Sequence, residues 1–127
     1  MSKTADQLTA EEIGHYQAAA RKREAEKRRA LEDRIQRARR LAQDAARMLR
    51  EKYGVKRVVL FGSLVHPETF TFWSDVDIAA WGLTAQNFLQ AMNDVAALDS
   101  DIEINLVDVA AVRPSLLDTI QRHGQDI

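Results

Sequence analysis

The sequence contains no cysteine, which excludes disulfides and thiolate metal sites and fits a reducing compartment. No apolar run approaches the roughly 20 residues that a membrane-spanning helix needs. The opening residues, Met1-Ser2-Lys3-Thr4, lead into polar sequence without the apolar stretch of a secretion signal. A soluble, cytoplasmic protein is expected. Proline is confined to Pro67 and Pro114, and between Thr9 and Tyr53 the only glycine is Gly14. The first part of the chain therefore lacks the residues that interrupt helices.

What is present is unevenly distributed. The net charge of −1 conceals a division: residues 1–57 carry 16 Lys/Arg against 9 Asp/Glu, and residues 58–127 carry 2 against 10. A basic arm is joined to an acidic body, and the two halves should meet different partners. With 127 residues there is room for one domain and an appendage. The reading is an arm over residues 1–53 and a domain over 54–127.

Thr9-Ala10-Glu11-Glu12 has the form of a capping box, and the Ala-, Arg-, Lys-, Glu- and Leu-rich stretch that follows predicts one long helix, stopped at Gly54. Leu31, Ile35, Ala38, Leu41, Ala45 and Leu49 follow three-and-four spacing, so the second half should pack on its own domain. Arg21 to Arg29 has almost no apolar face, and this first half is expected to project or to mediate homo-oligomer contacts. Residues 21–40 hold ten Arg/Lys and four Asp/Glu. Nucleic acid is one reading of that run, but no aromatic residue is interleaved to stack bases. A solvated face or an acidic protein partner are the others.

The body is organised around Val58-Val59-Leu60-Phe61-Gly62-Ser63 and Ser74-Asp75-Val76-Asp77-Ile78-Ala79-Ala80. The first is a buried strand ending in a tight turn. The second alternates strictly, so that Asp75 and Asp77 leave one face while Val76, Ile78 and Ala80 pack behind. Two like charges on one face need neutralising, and hard oxygen ligands suit Mg²⁺ or Mn²⁺. Gly62 lets a bulky anion approach the backbone, and Ser63 offers it a hydroxyl and an N–H. The plainer reading is a β-turn followed by a solvated acidic strand. Downstream, Thr84 caps a helix through Phe88, Met92 and Val95. A third strand runs over Asp101 to Val109, with Glu103 and Asn105 on one face, and a short helix Leu116 to His123 follows. The expected fold class is α+β, with the helices on one sheet face and the acidic cluster on the other. Phe70, Phe72 and Trp73 are expected to cover the end of the sheet, Asp108 to end or cap its strand, and His15, His66 and His123 to bind no metal.

The pair Gly62-Ser63 and Ser74-Asp75-Val76-Asp77, with Glu103-Ile104-Asn105-Leu106-Val107-Asp108, resembles the minimal nucleotidyltransferase (MNT) family of the DNA polymerase β superfamily. The resemblance covers roughly residues 50–124. It implies a small mixed-sheet nucleotidyltransferase domain behind the long helix. Gly62, Ser63 and Ser74 would then hold the triphosphate of ATP, and Asp75 and Asp77 would bind two Mg²⁺ ions. The family's third carboxylate falls on Asn105, which keeps a carbonyl oxygen but cannot accept a proton. Glu103, two residues earlier on the same face, is the candidate substitute. The family's usual basic residue after Gly-Ser is Leu64 here. The implied setting is an antitoxin paired with a helical HEPN-type ribonuclease toxin, silenced by AMP transfer to a hydroxyl, by binding, or by both. The alternative is a catalytically degenerate domain that works as a protein-binding module.

Overall fold

The structure, a computed structural model, describes residues 8–127; the polar start of the chain, residues 1–7, lies outside the described residues. The order is α1 (Ala10–Tyr53), β1 (Arg57–Phe61), two 3-10 turns (Gly62–Val65 and Pro67–Thr69), β2 (Val76–Trp81), α2 (Phe88–Ala96) and β3 (Ile104–Asp108). A further 3-10 turn (Val109–Ala111), α3 (Pro114–His123) and β4 (Gln125–Asp126) complete it. This is the expected α+β class. No helix among the described residues is long and apolar enough to cross a membrane.

The chain forms two compact units, Met1–Asp33 and Arg34–Ile127. In the first, the Glu12 N–H donates to Thr9 Oγ1 at 3.1 Å, which is the cap read from the sequence. None of its described residues is buried, in keeping with the missing apolar stripe.

In the second unit the sheet order is β3-β2-β1-β4. β1 is antiparallel to β2 and β4, and β2 is parallel to β3, so the sheet is mixed. Antiparallel β1 and β2 are joined by the short 62–75 connection, whereas parallel β2 and β3 require a crossover, which α2 supplies. The second half of α1 buries Ala38, Leu41, Ala42, Ala45, Ala46 and Leu49, the apolar stripe read from the sequence. Gly54 closes that helix at φ +67, its N–H donating to the Arg50 carbonyl at 3.1 Å, a left-handed C-terminal stop. Arg37 grips Asp99 with two bonds of 2.9 and 2.8 Å. Arg34 reaches Asp101 at 2.8 Å and Lys52 reaches Asp94 at 2.6 Å. The Arg34 and Lys52 pairs, each partly exposed, contribute about 0.2–1 kcal/mol, the two-pronged Arg37 grip on nearly buried Asp99 contributes more, and the buried stripe supplies the apolar part of the docking.

One sheet face (Val58, Leu60, Val76, Ile78, Ala80) is buried throughout. The other is divided. Val59 and Ala79 form a buried cluster with Ile120 of α3, flanked by Phe61, Trp81, Val107 and Leu116, while Asp75 and Asp77 occupy its other end. This corrects the expectation that the helices and the acidic cluster take opposite faces. The face is acidic only at one end, and its apolar remainder needs α3 as cover. The two-residue β4, too short for any pattern, was not anticipated.

Candidate functional site

Phe61 ends β1 and the chain turns at Gly62 with φ +77. A side chain here would collide with the acidic strand: an added Cβ would lie 2.3 Å from Asp77 Oδ2. Glycine is therefore demanded twice, by the backbone angle and by the approach of β2. The turn Gly62–Val65 is pinned by buried Leu64. The Ser63 carbonyl accepts from the His66 N–H at 3.1 Å and from Thr69 Oγ1 at 3.2 Å. These bonds leave the Ser63 hydroxyl uncommitted.

The start of β2 is fixed by a second turn. Ser74 Oγ accepts the Thr71 N–H at 2.9 Å, and the Trp73 N–H donates to Thr71 Oγ1 at 3.2 Å. The Ser74 hydroxyl is thus occupied in holding its own loop. Phe70 is buried, but Phe72 is 40% and Trp73 90% exposed. That corrects the covering role for those two: the Thr71–Ser74 turn holds them outside. Asp108 caps the turn after β3, accepting the Ala110 N–H at 3.0 Å.

Parallel pairing puts Asn105 opposite Asp77. Its Nδ2 donates to Asp77 Oδ1 at 3.0 Å and to Asp75 Oδ2 at 3.3 Å. One neutral amide thus bridges the two carboxylates. Burial pushes the Asp77 carboxyl above its ordinary range, Asn105 pulls it back, and the Asp75 charge raises it again. Glu103 is exposed and lines a different hollow, with Asp99, Asp101 and Ile104, while its backbone carbonyl takes the Val76 N–H at 2.9 Å. Among the described residues, no group of three or more His, Cys, Asp or Glu could hold a metal ion. The acidic site is a pair, completed by an amide.

A cavity of about 400 Å³ opens beside the turn, lined by Phe61, Gly62, Ser63, His66, Thr69, Thr119 and His123. Its histidines come from a loop and from α3, 57 positions apart in the chain, and no local spacing foretold their meeting.

The donor chemistry fits one hard divalent cation. Two carboxylates converge, and rotation of the Asn105 amide would turn its carbonyl oxygen toward them in place of its N–H groups.

No family model and no curated protein sequence matches this chain. Solved structures do. A toxin–antitoxin complex with AMP-PNP matches with TM-score 0.56 and 21% identity, over 67% of this chain and 70% of that one. The toxin–antitoxin MntA–HepT matches with TM-score 0.53 and 20% identity, over 69% of each chain. This is the MNT fold. A tri-AMPylated Shewanella oneidensis HEPN toxin in complex with MNT antitoxin shares it, with TM-score 0.52 and 20% identity over 70% of each chain. The polymerase β-like nucleotidyltransferase architecture expected from the Gly-Ser and Asp-x-Asp pattern is therefore the one observed. MNT-fold architecture places the turn and the acid pair side by side in this chain, as the collision at Gly62 demonstrates.

Proposed function

We propose that the chain is an antitoxin-like nucleotidyltransferase that transfers AMP from Mg-ATP to a hydroxyl of a helical, HEPN-type protein partner. The observation that carries this reading is the abutment of the Gly62 turn on Asp77, with Asp75 on the same face. A phosphate cradle and a cation-binding pair then lie within one nucleotide's reach. The described complexes of similar structures, one with AMP-PNP and one with an AMPylated HEPN toxin, support both the nucleotide and the partner class.

In this reading Asp75 and Asp77 hold Mg²⁺, which on binding supplies positive charge to the phosphate oxygens. Gly62 and Ser63 would take the triphosphate, and the cavity lined by His66 and His123 opens beside that turn. The acceptor hydroxyl oxygen forms a bond to the α-phosphorus as the bond to the pyrophosphate oxygen breaks. The hydroxyl proton passes to a carboxylate. With Asp75 and Asp77 engaged by the cation, the carboxylate left to take it is Glu103. Asn105 cannot, and a missing general base slows such a step by about 10²–10⁴-fold. The long helix serves partner contact or self-association.

The Asn105 bridge favours a second reading, a degenerate domain that binds its partner without turnover: the amide already hydrogen-bonds both carboxylates without a cation. The two separate when the protein is incubated with labelled ATP, Mg²⁺ and the partner. Transfer of label that vanishes in Asp77→Ala supports the enzyme. Stable association without label, unchanged by Asp77→Ala, supports the module. Unchanged transfer by Glu103→Ala would exclude Glu103 as the replacement base.

A further inference from the structure

Along the second half of α1, Gln36, Arg39, Arg40, Gln43 and Arg47 form a polar stripe beside the buried one. Together with Gln125 of β4 they line a cavity of about 660 Å³. Leu60 and Val65 contribute apolar wall. The acidic groups that also line the cavity are taken: Asp126 by Arg57 at 2.7 Å, Asp44 by Arg47 at 3.6 Å, and the terminal Ile127 by Arg50. Most other cations of this half-helix are also committed. Arg34 and Arg37 hold Asp101 and Asp99, Lys52 holds Asp94, and Arg50 donates to the Ile127 carbonyl. Arg39 and Arg40 alone make no ion pair, and both face this one cavity. A concave site with two uncommitted guanidinium forks and three side-chain amides is built to receive anionic groups.

We propose that this groove binds an acidic peptide segment of a partner protein. Carboxylates accept the paired N–H groups of Arg39 and Arg40, and the Gln36, Gln43 and Gln125 amides bond the peptide backbone. A peptide fits better than RNA because no aromatic side chain lines the groove, and single-stranded RNA readers stack bases on such rings. The inference does not depend on turnover at Asp75 and Asp77, since the groove is lined by neither.

The test is fluorescence anisotropy on the full chain with a fluorescein-labelled oligoglutamate peptide and, separately, labelled oligouridylate. Arg39→Ala/Arg40→Ala should weaken the peptide about five- to tenfold, the loss of two exposed Arg–carboxylate contacts. The charge-matched control Arg28→Ala/Arg29→Ala should leave affinity within about twofold. Equal loss in both variants, no peptide binding at low salt, or tighter binding of oligouridylate would overturn the proposal. So would a wild-type dimer that dissociates in the Arg39/Arg40 variant, which would make the groove a contact between copies. Both arginines are exposed, so the variants should keep the wild-type melting curve. Should they not, Arg39→Gln/Arg40→Gln replaces them and is judged by the same outcomes.

Discussion

Replacing Gly62 by alanine tests whether the turn and the acid pair form one unit. Two costs add. At φ +77 an L-residue is in the left-handed region, worth about 1–2 kcal/mol. The new methyl would stand 2.3 Å from Asp77 Oδ2 and 3.2 Å from its Cγ, so Asp77 must swing away and lose the Asn105 amide, a further 1.5 kcal/mol or about that. The sum is about 3 kcal/mol. Gly54→Ala is the internal standard: its φ is +67, but nothing lies within 4 Å of the added Cβ, so only the backbone cost of about 1–2 kcal/mol applies. In an Asp77→Ala background the collision disappears, because the remaining Asp77 Cβ lies at 3.4 Å, an ordinary contact. Urea denaturation of the two single variants and the double variant should give a coupling energy of about 1.5 kcal/mol between positions 62 and 77. Additivity within about 0.5 kcal/mol would refute the reasoning. Turn and pair would then be neighbours without mechanical connection.

Asn105→Asp exchanges the bridging donor for a third acceptor. The metal-free protein should lose about 1–3 kcal/mol, and Mg²⁺ should raise its melting temperature more than that of the wild type, measured by scanning fluorimetry. Acid titration has two opposed parts. The folded-state pKa of Asp77 is raised, so its proton binds more tightly in the folded chain. Its share of stability grows as pH falls through that value, and Asp77→Asn should erase the gain. Asp99 behaves oppositely. Burial pulls its pKa up, but the N–H groups of Ile102 and Asp101 and the Arg37 guanidinium outweigh this, so its contribution is present above the ordinary carboxylate range and lost as pH falls through the lowered value. Trp73→Ala should change stability by less than about 0.5 kcal/mol and remove the more water-exposed, readily quenched part of the tryptophan emission, leaving that of half-buried Trp81.

The chain declares its elements well where a period repeats. Alternation over Ser74–Ala80 fixed the direction of Asp75 and Asp77, and three-and-four spacing marked Ala38 to Leu49 as the buried stripe. The Gly-Ser turn was legible because only a glycine tolerates both its angle and its neighbour. What escaped detection depends on contacts between distant segments. α3 shares a face with the acid pair because Ile120 reaches Val59 and Ala79 across some 40 to 60 positions. Strand parity placed Glu103 and Asn105 on one face alike. Register alone decides that Asn105 meets Asp77 while Glu103 lines another hollow. Phe72 and Trp73 looked like cover by composition, and a single hydrogen-bonded turn held them outside instead.

The parallel union of β2 with β3 has a kinetic corollary. Neighbours joined by the shorter connection close sooner, whereas strands separated by a crossover must await the intervening helix. A half-folded chain with β1 and β2 zipped would carry its two aspartates side by side with no amide between them, repelling and exposed. The docking of β3 is therefore the step that relieves this repulsion. A ligand recognising the finished face would drag that late stage toward completion by mass action.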